Sequence, residues 1–104
     1  MRLEVNGNLF SKDPDDQIIA QALQNLTGEG DSFAILSKTE MMYIQTAGSS
    51  EEGFVLEYQD GSLDRHFRCS DEHLDLDKVI WAFTLYICGD ERWRTEFNWE
   101  KEEL

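Results

Sequence analysis

The sequence predicts an α+β domain in which a mainly antiparallel sheet packs against two helices. Three observations carry this. Two stretches place apolar residues at helical spacing between a capping acid and a glycine. Several others are apolar or alternating over strand length, and Gly, Asn and Asp punctuate the joins. The resulting order, β-α-β-β-β-β-α-β, suits a sheet and helices that share one core. A chain of 104 residues is a single domain by size (residues 1–104).

Residues 2–5 form the first strand, and Asn6-Gly7-Asn8 makes a turn that needs positive φ. Asp13-Pro14-Asp15-Asp16 opens the first helix: Asp13 caps, Pro14 takes the first helical position, and the following acids complement the positive end of the helix dipole. Ile19, Ala22, Leu23 and Leu26 recur at i, i+3, i+4, i+7 and mark its buried face, and Gly28 is the natural stop. Residues 32–37 and 41–46 read as two strands joined near Lys38-Thr39-Glu40. Phe33, Ile35, Met42 and Ile44 occupy one parity and Leu36, Met41 and Tyr43 the other, so this pair is expected to be covered on both sides.

The clearest hairpin follows the polar loop 47–53. Phe54, Leu56 and Tyr58 alternate on its first strand, and Leu63, Phe67 and Cys69 share a parity on its second. With Gly61-Ser62 as a two-residue turn, Leu56 falls opposite Phe67, Phe54 opposite Cys69, and Glu57 opposite His66. A turn at Asp60-Gly61 would instead set Glu57 against Asp64, two like charges, so the first register is preferred. Asp75 caps a second helix over residues 76–88 that Gly89 ends, with Leu76, Val79, Ile80, Phe83 and Ile87 as its main stripe. Residues 92–100 alternate and read as a last strand, with Trp93, Thr95, Phe97 and Trp99 on one side. A charged tail follows over residues 101–104.

The charge balance bounds the partners. Twenty-two Asp and Glu against nine Lys and Arg give a net charge of −13. That works against binding nucleic acid or an anionic membrane, since neither polyanion gains from such a surface. It favours a basic protein partner, or plain solubility. The start carries no apolar core of signal-peptide length and no run approaches membrane-spanning length. Cys69 and Cys88 lack metal or redox spacing, so a reducing cytoplasm with two buried thiols is the economical reading. A disulfide between them stays open.

Candidate chemistry is sparse. His66, Cys69 and His73 lie within eight residues, but His66 and Cys69 leave opposite faces of one strand, so neither a metal nor another cofactor is expected. There is no serine elbow, no cysteine paired with histidine at a known spacing, and no phosphate-cradling glycine loop; the reading is non-catalytic. Tyr43, Glu57 and His66 on the sheet's open face are the pocket to inspect, with Glu57 otherwise a solvent-side cross-strand partner of His66. Two acidic clusters stand at the helix starts, Asp13, Asp15 and Asp16 at the first and Asp71, Glu72, Asp75 and Asp77 at the second. Dipole complementarity explains either. If both starts share one edge of the sheet, they form a broad negative patch for a basic protein. Trp81, Leu85 and Cys88 stand at i, i+4, i+7 away from the main stripe of the second helix. They are covered within the chain or meet a second copy in a homodimer, with Trp81 as the anchor.

From the hairpin that begins at Gly53-Phe54-Val55-Leu56-Glu57-Tyr58, through Leu74-Asp75-Leu76 and the helix, to Gly89-Asp90 and a late Trp99, the C-terminal half resembles the Imm1-type immunity proteins of bacterial polymorphic toxin systems. The resemblance covers about residues 53–100 and is one of pattern. The family's turn after the last helix often carries a proline, where this chain reads Gly89-Asp90-Glu91-Arg92. It implies a small α+β protein that binds and neutralises a cognate toxin, commonly an enzyme with a basic cleft. Charge complementarity would speed that association. The alternatives are a homo-oligomeric structural or regulatory protein, and a small ligand-binding domain or enzyme using the open sheet face.

Overall fold

The computed structural model describes residues 1–29 and 32–102. Along them run β1 (Arg2–Val5), β2 (Asn8–Ser11), α1 (Asp16–Gln24), β3 (Phe33–Thr39), β4 (Met42–Ser49), β5 (Gly53–Asp60), a 3-10 turn (Leu63–Arg65), β6 (His66–Cys69), α2 (Leu76–Cys88), α3 (Arg92–Glu96) and β7 (Trp99–Lys101). The strands make one seven-stranded sheet in the order β2-β1-β3-β4-β5-β6-β7, with every neighbour antiparallel. The fold is therefore α+β, as the sequence predicts. Among the described residues no helix is long and apolar enough to cross a membrane.

The core lies on one face of the sheet. Leu3, Leu36, Ile44, Phe54 and Leu56 point from the strands into a cluster with Ile19 and Leu23 of α1 and Val79 and Phe83 of α2. Both long helices form where the sequence places them. In α2 the Asp75 carboxylate accepts from Lys78 N, and Gly89 takes the left-handed conformation at φ 76 that ends the helix. Its buried face is rotated from the expected stripe: Ala82, Leu85 and Tyr86 are buried with Val79 and Phe83, while Leu76, Ile80 and Ile87 pack at the margin. In α1 the capping residue is Asp15, which accepts from Ile18 N at 2.9 Å, and not Asp13. Pro14 precedes the cap, and the helix ends at Asn25, ahead of Gly28.

Three expectations are corrected. Asn6 and Gly7 both take positive φ, 54 and 83, as a two-residue hairpin turn requires. The chain therefore folds straight back as β2, a strand the sequence reading lacked because its Leu9 and Phe10 are exposed and give no inward pattern. Residues 92–100 are not one strand. Trp93 and Phe97 stand four apart, a spacing that serves a helix as well as a strand, and residues 92–96 form α3 before β7 begins at Trp99. Lys101 belongs to β7, whereas Glu103 and Leu104 of the expected tail lie outside the described residues.

The third correction concerns register. Tyr58 sits opposite Phe67 and Glu57 opposite Arg68, two residues away from the expected pairing, because the connection is longer and contains the 3-10 turn. Leu63 falls in that turn and is exposed instead of facing inward. A shift of two preserves the face of every paired residue, so apart from Leu63 the inward set holds although the partners do not. In β3 and β4, Leu36 pairs with Ile44 and Ile35 with Gln45, which puts Ile35 and Ile44 on opposite faces. Only the face carrying Ala34, Leu36, Ile44 and Thr46 is buried; Phe33, Ile35 and Tyr43 are half-exposed on the other.

Two features fix the ends of the sheet. Tyr58 stacks on Phe67 with centroids 4.9 Å apart and takes Trp93 and Trp99 edge-on at 4.8 and 4.6 Å, which seats α3 against β5, β6 and β7. At the opposite end of β5 the backbones nearly touch. A Cβ on Gly48 would lie 2.2 Å from the Gly53 carbonyl oxygen, and one on Gly53 would lie 2.7 Å from the Cα of His73. Phe54 and Leu74 exchange hydrogen bonds of 2.8 and 3.1 Å, so the loop between β6 and α2 is sewn to the β4–β5 hairpin.

Candidate functional site on the open face of the sheet

The helices cover one face, so the side chains that leave the other are free to do chemistry. On that face the middle strands bring Tyr43 (β4), Glu57 and Gln59 (β5) and His66 (β6) side by side. Gln59 is the hub. Its Nε2 donates to the Met41 carbonyl at 3.2 Å, and its Oε1 accepts from the Tyr43 hydroxyl at 3.3 Å and lies 3.1 Å from His66 Nδ1. The other ring nitrogen, Nε2, is 3.0 Å from Glu57 Oε1. Gln59 and His66 are buried at 3% and 4% exposure even on this face, because their own neighbours close over them. Tyr43 meets the imidazole edge-on at 6.1 Å. Burial, and then the Glu57 carboxylate, raise the Tyr43 hydroxyl pKa above the ordinary tyrosine value, so it stays a donor.

The expected trio of Tyr43, Glu57 and His66 is therefore brought together, through a fourth residue that the sequence reading did not name. Gln59 shares the parity of Glu57 on the same strand, which was the available signal. Glu102, just past β7, joins the group: a ligand-type atom from each of Glu57, His66 and Glu102 lies within 4.8 Å of the others. The set first considered for a metal is not assembled. His66 and Cys69 are both buried but on opposite faces, and His73 is exposed beside Asp71. Next to the network, a groove of about 770 Å³ runs past Arg2, Glu4, Ile35, Lys38, Tyr43 and Gln45.

Asp71, Glu72, Asp75 and Asp77 are all exposed around the start of α2. Asp71 accepts from His73 N at 2.9 Å, Asp75 caps the helix, and Glu72 pairs with Arg68 at 3.2 Å. They do not merge with the acids of α1 into one patch. Asp13 and Pro14 line a hollow with Ile87, near the far end of α2, and the twelve residues from Leu76 to Ile87 span about 17 Å of helix. The two acidic clusters thus lie at opposite ends of α2.

Trp81, Leu85 and Cys88 do not form one apolar surface. Leu85 is 7% exposed and belongs to the core, Trp81 lies 5.9 Å from Phe97 and is about one-third exposed, and Cys88 is exposed. Both cysteines are free thiols, and Cys88 is not the buried one expected; burial raises the pKa of Cys69. No protein-family model matches the chain, and no curated protein or solved structure is significantly similar to it.

Proposed function

We propose that the domain is a non-catalytic protein-binding module that takes a basic partner at the exposed acids around the start of α2. The observation that supports this most directly is the company those acids keep. Asp71 and Glu72 stand exposed on a loop tied to the sheet by the Phe54–Leu74 hydrogen bonds, and Asp75 and Asp77 follow, exposed, at the cap and first turn of α2, in a chain of net charge −13. A fixed, exposed set of carboxylates steers a cationic surface and orients it. The resemblance to immunity proteins gives this role a specific form, the neutralisation of a toxin or enzyme with a basic cleft. Free thiols at Cys69 and Cys88 fit a reducing cytoplasm.

The test is affinity capture from lysate of the source cells at low and then moderate salt, repeated with Asp71→Asn combined with Glu72→Gln. The proposal expects a stoichiometric basic protein whose association rate falls with salt and falls further, about tenfold, in the double variant at low salt. A partner indifferent to both would overturn it. A second reading, a small-ligand site, draws on the Tyr43–Gln59–His66–Glu57 network and the adjoining groove.

A further inference from the structure

We propose that Glu57, His66 and Glu102 form a binding site for one divalent transition-metal cation of the zinc class. The inference is independent of the acidic cluster and starts from a proton that the hydrogen bonds locate. Gln59 is oriented by the Met41 carbonyl, which takes its Nε2 at 3.2 Å; its Oε1 must then face the His66 ring. An acceptor 3.1 Å from Nδ1 puts the proton on Nδ1. In the neutral ring Nε2 is left as a lone pair, 3.0 Å from a carboxylate oxygen of Glu57. A proton on Nε2 closes that contact as an ion pair, and a metal cation can take the proton's place.

A second observation points to the same place. Glu102 Oε2 is buried and has no hydrogen-bond partner among the described residues. Its strand carries it there: Glu102 N donates to the His66 carbonyl at 2.8 Å, so the Glu102 carboxylate joins the His66–Glu57 pair. A buried carboxylate oxygen without a donor is a costly group to keep unless something positive satisfies it.

The arrangement has the parts of a metal site. Three adjacent strands, β5, β6 and the end of β7, supply one ligand each, with the ligand atoms within 4.8 Å of one another. Metal–ligand bonds of about 2.0–2.2 Å require those atoms to draw somewhat closer, a movement that lies within the reach of two glutamate side chains. The imidazole need not move. Its Nδ1–H rests on Gln59, which Tyr43 also holds, the outer hydrogen bond that orients a ligating histidine and raises its basicity. Two carboxylates and one neutral imidazole carry two negative charges, matching a divalent ion. Imidazole nitrogen selects zinc-like ions over magnesium or calcium. Arg68, the neighbouring cation, turns one terminal nitrogen to Glu72 at 3.2 Å, while its Nε is buried without a hydrogen-bond partner among the described residues. Three protein ligands leave a fourth position for solvent.

The experiment is calorimetric titration of zinc into the chelator-treated full chain near neutral pH, with the imidazole nitrogens of a ¹⁵N-labelled sample followed by NMR. The expected result is one zinc per chain, a large shift of the His66 Nε2 resonance with little at Nδ1, and affinity weakened about tenfold or more in Glu57→Gln and in Glu102→Gln. Cys88→Ser and His73→Asn bind as the parent does. Glu102→Gln keeps the side chain's size at a position past the end of β7, so with a circular-dichroism check of folding it decides the matter even where a change at His66 unfolds the chain. Failure to saturate, unchanged affinity in Glu102→Gln, or loss of binding in Cys88→Ser would each overturn the proposal.

Discussion

The two faces of this sheet are held by different physics. The covered face is aliphatic and aromatic. Phe54, Leu56 and Tyr58 of β5 pack there with the helices, and the Tyr58–Phe67–Trp93–Trp99 group closes one end by ring contact, with the Arg94 guanidinium over the Tyr58 and Trp93 rings. The open face, one residue over on the same strands, holds a buried glutamine and a buried histidine whose every partner is polar. Removal from water drives folding on the first face. On the second it is a cost, offset only where each donor finds its acceptor. A single strand, β5, thus carries core residues at even positions and a polar network at odd ones.

That contrast can be broken from either side. The largest loss is expected on the covered face, where Trp93→Ala removes a ring that three aromatic neighbours touch; urea unfolding should show about 3–5 kcal/mol of lost stability. On the open face Gln59→Ala strips the partner from His66 Nδ1, Tyr43 and the Met41 carbonyl together. It should cost about 1–3 kcal/mol, and equality with Trp93→Ala would show the network to be as central as the core. The smallest effect tests a polar tip inside the core. Burial pushes the Tyr86 hydroxyl from 10.0 up to about 12, with the Arg94 guanidinium working against the shift and Asp60 adding to it. In the unfolded chain that hydroxyl ionises near 10, whereas the folded chain keeps its proton. Stability is therefore full below pH 10 and is lost as pH rises towards 12. Thermal melts of Tyr86→Phe should match the parent at neutral pH and fall less steeply across that alkaline window.

What the sequence reveals depends on how local the determining physics is. Both long helices were legible because a capping acid, an apolar stripe and, for α2, the left-handed Gly89 lie within one stretch of chain. Faces were legible for β5 and β6, since parity survives a register shift of two. The partners across that hairpin were not, because the length of the turn is settled by how residues 62–65 coil, which alternation does not encode. The β2 strand and α3 escaped for opposite reasons: β2 exposes both of its apolar residues, Leu9 and Phe10, and α3 has a spacing that serves two structures equally. At the site, Tyr43, Glu57 and His66 were visible as a cross-strand group. Gln59 was overlooked because an uncharged amide draws no attention until its neighbours are known. In the sequence Glu102 stands in a charged tail, and only the pairing of β6 with β7 brings it alongside His66.

The close approach of Gly53 to the loop after β6 has a consequence for association. That loop carries Asp71 and Glu72, and the near-touching backbones at Gly53 and His73 hold it as part of the sheet. A surface loop ordinarily surrenders conformational entropy when a partner immobilises it, and that loss subtracts from affinity. Here part of that ordering is already in place, at Gly53–His73 and in the Phe54–Leu74 hydrogen bonds. If the proposed partner docks on these carboxylates, it meets a loop whose backbone is held on one side, and the complex should form without a slow rearrangement step.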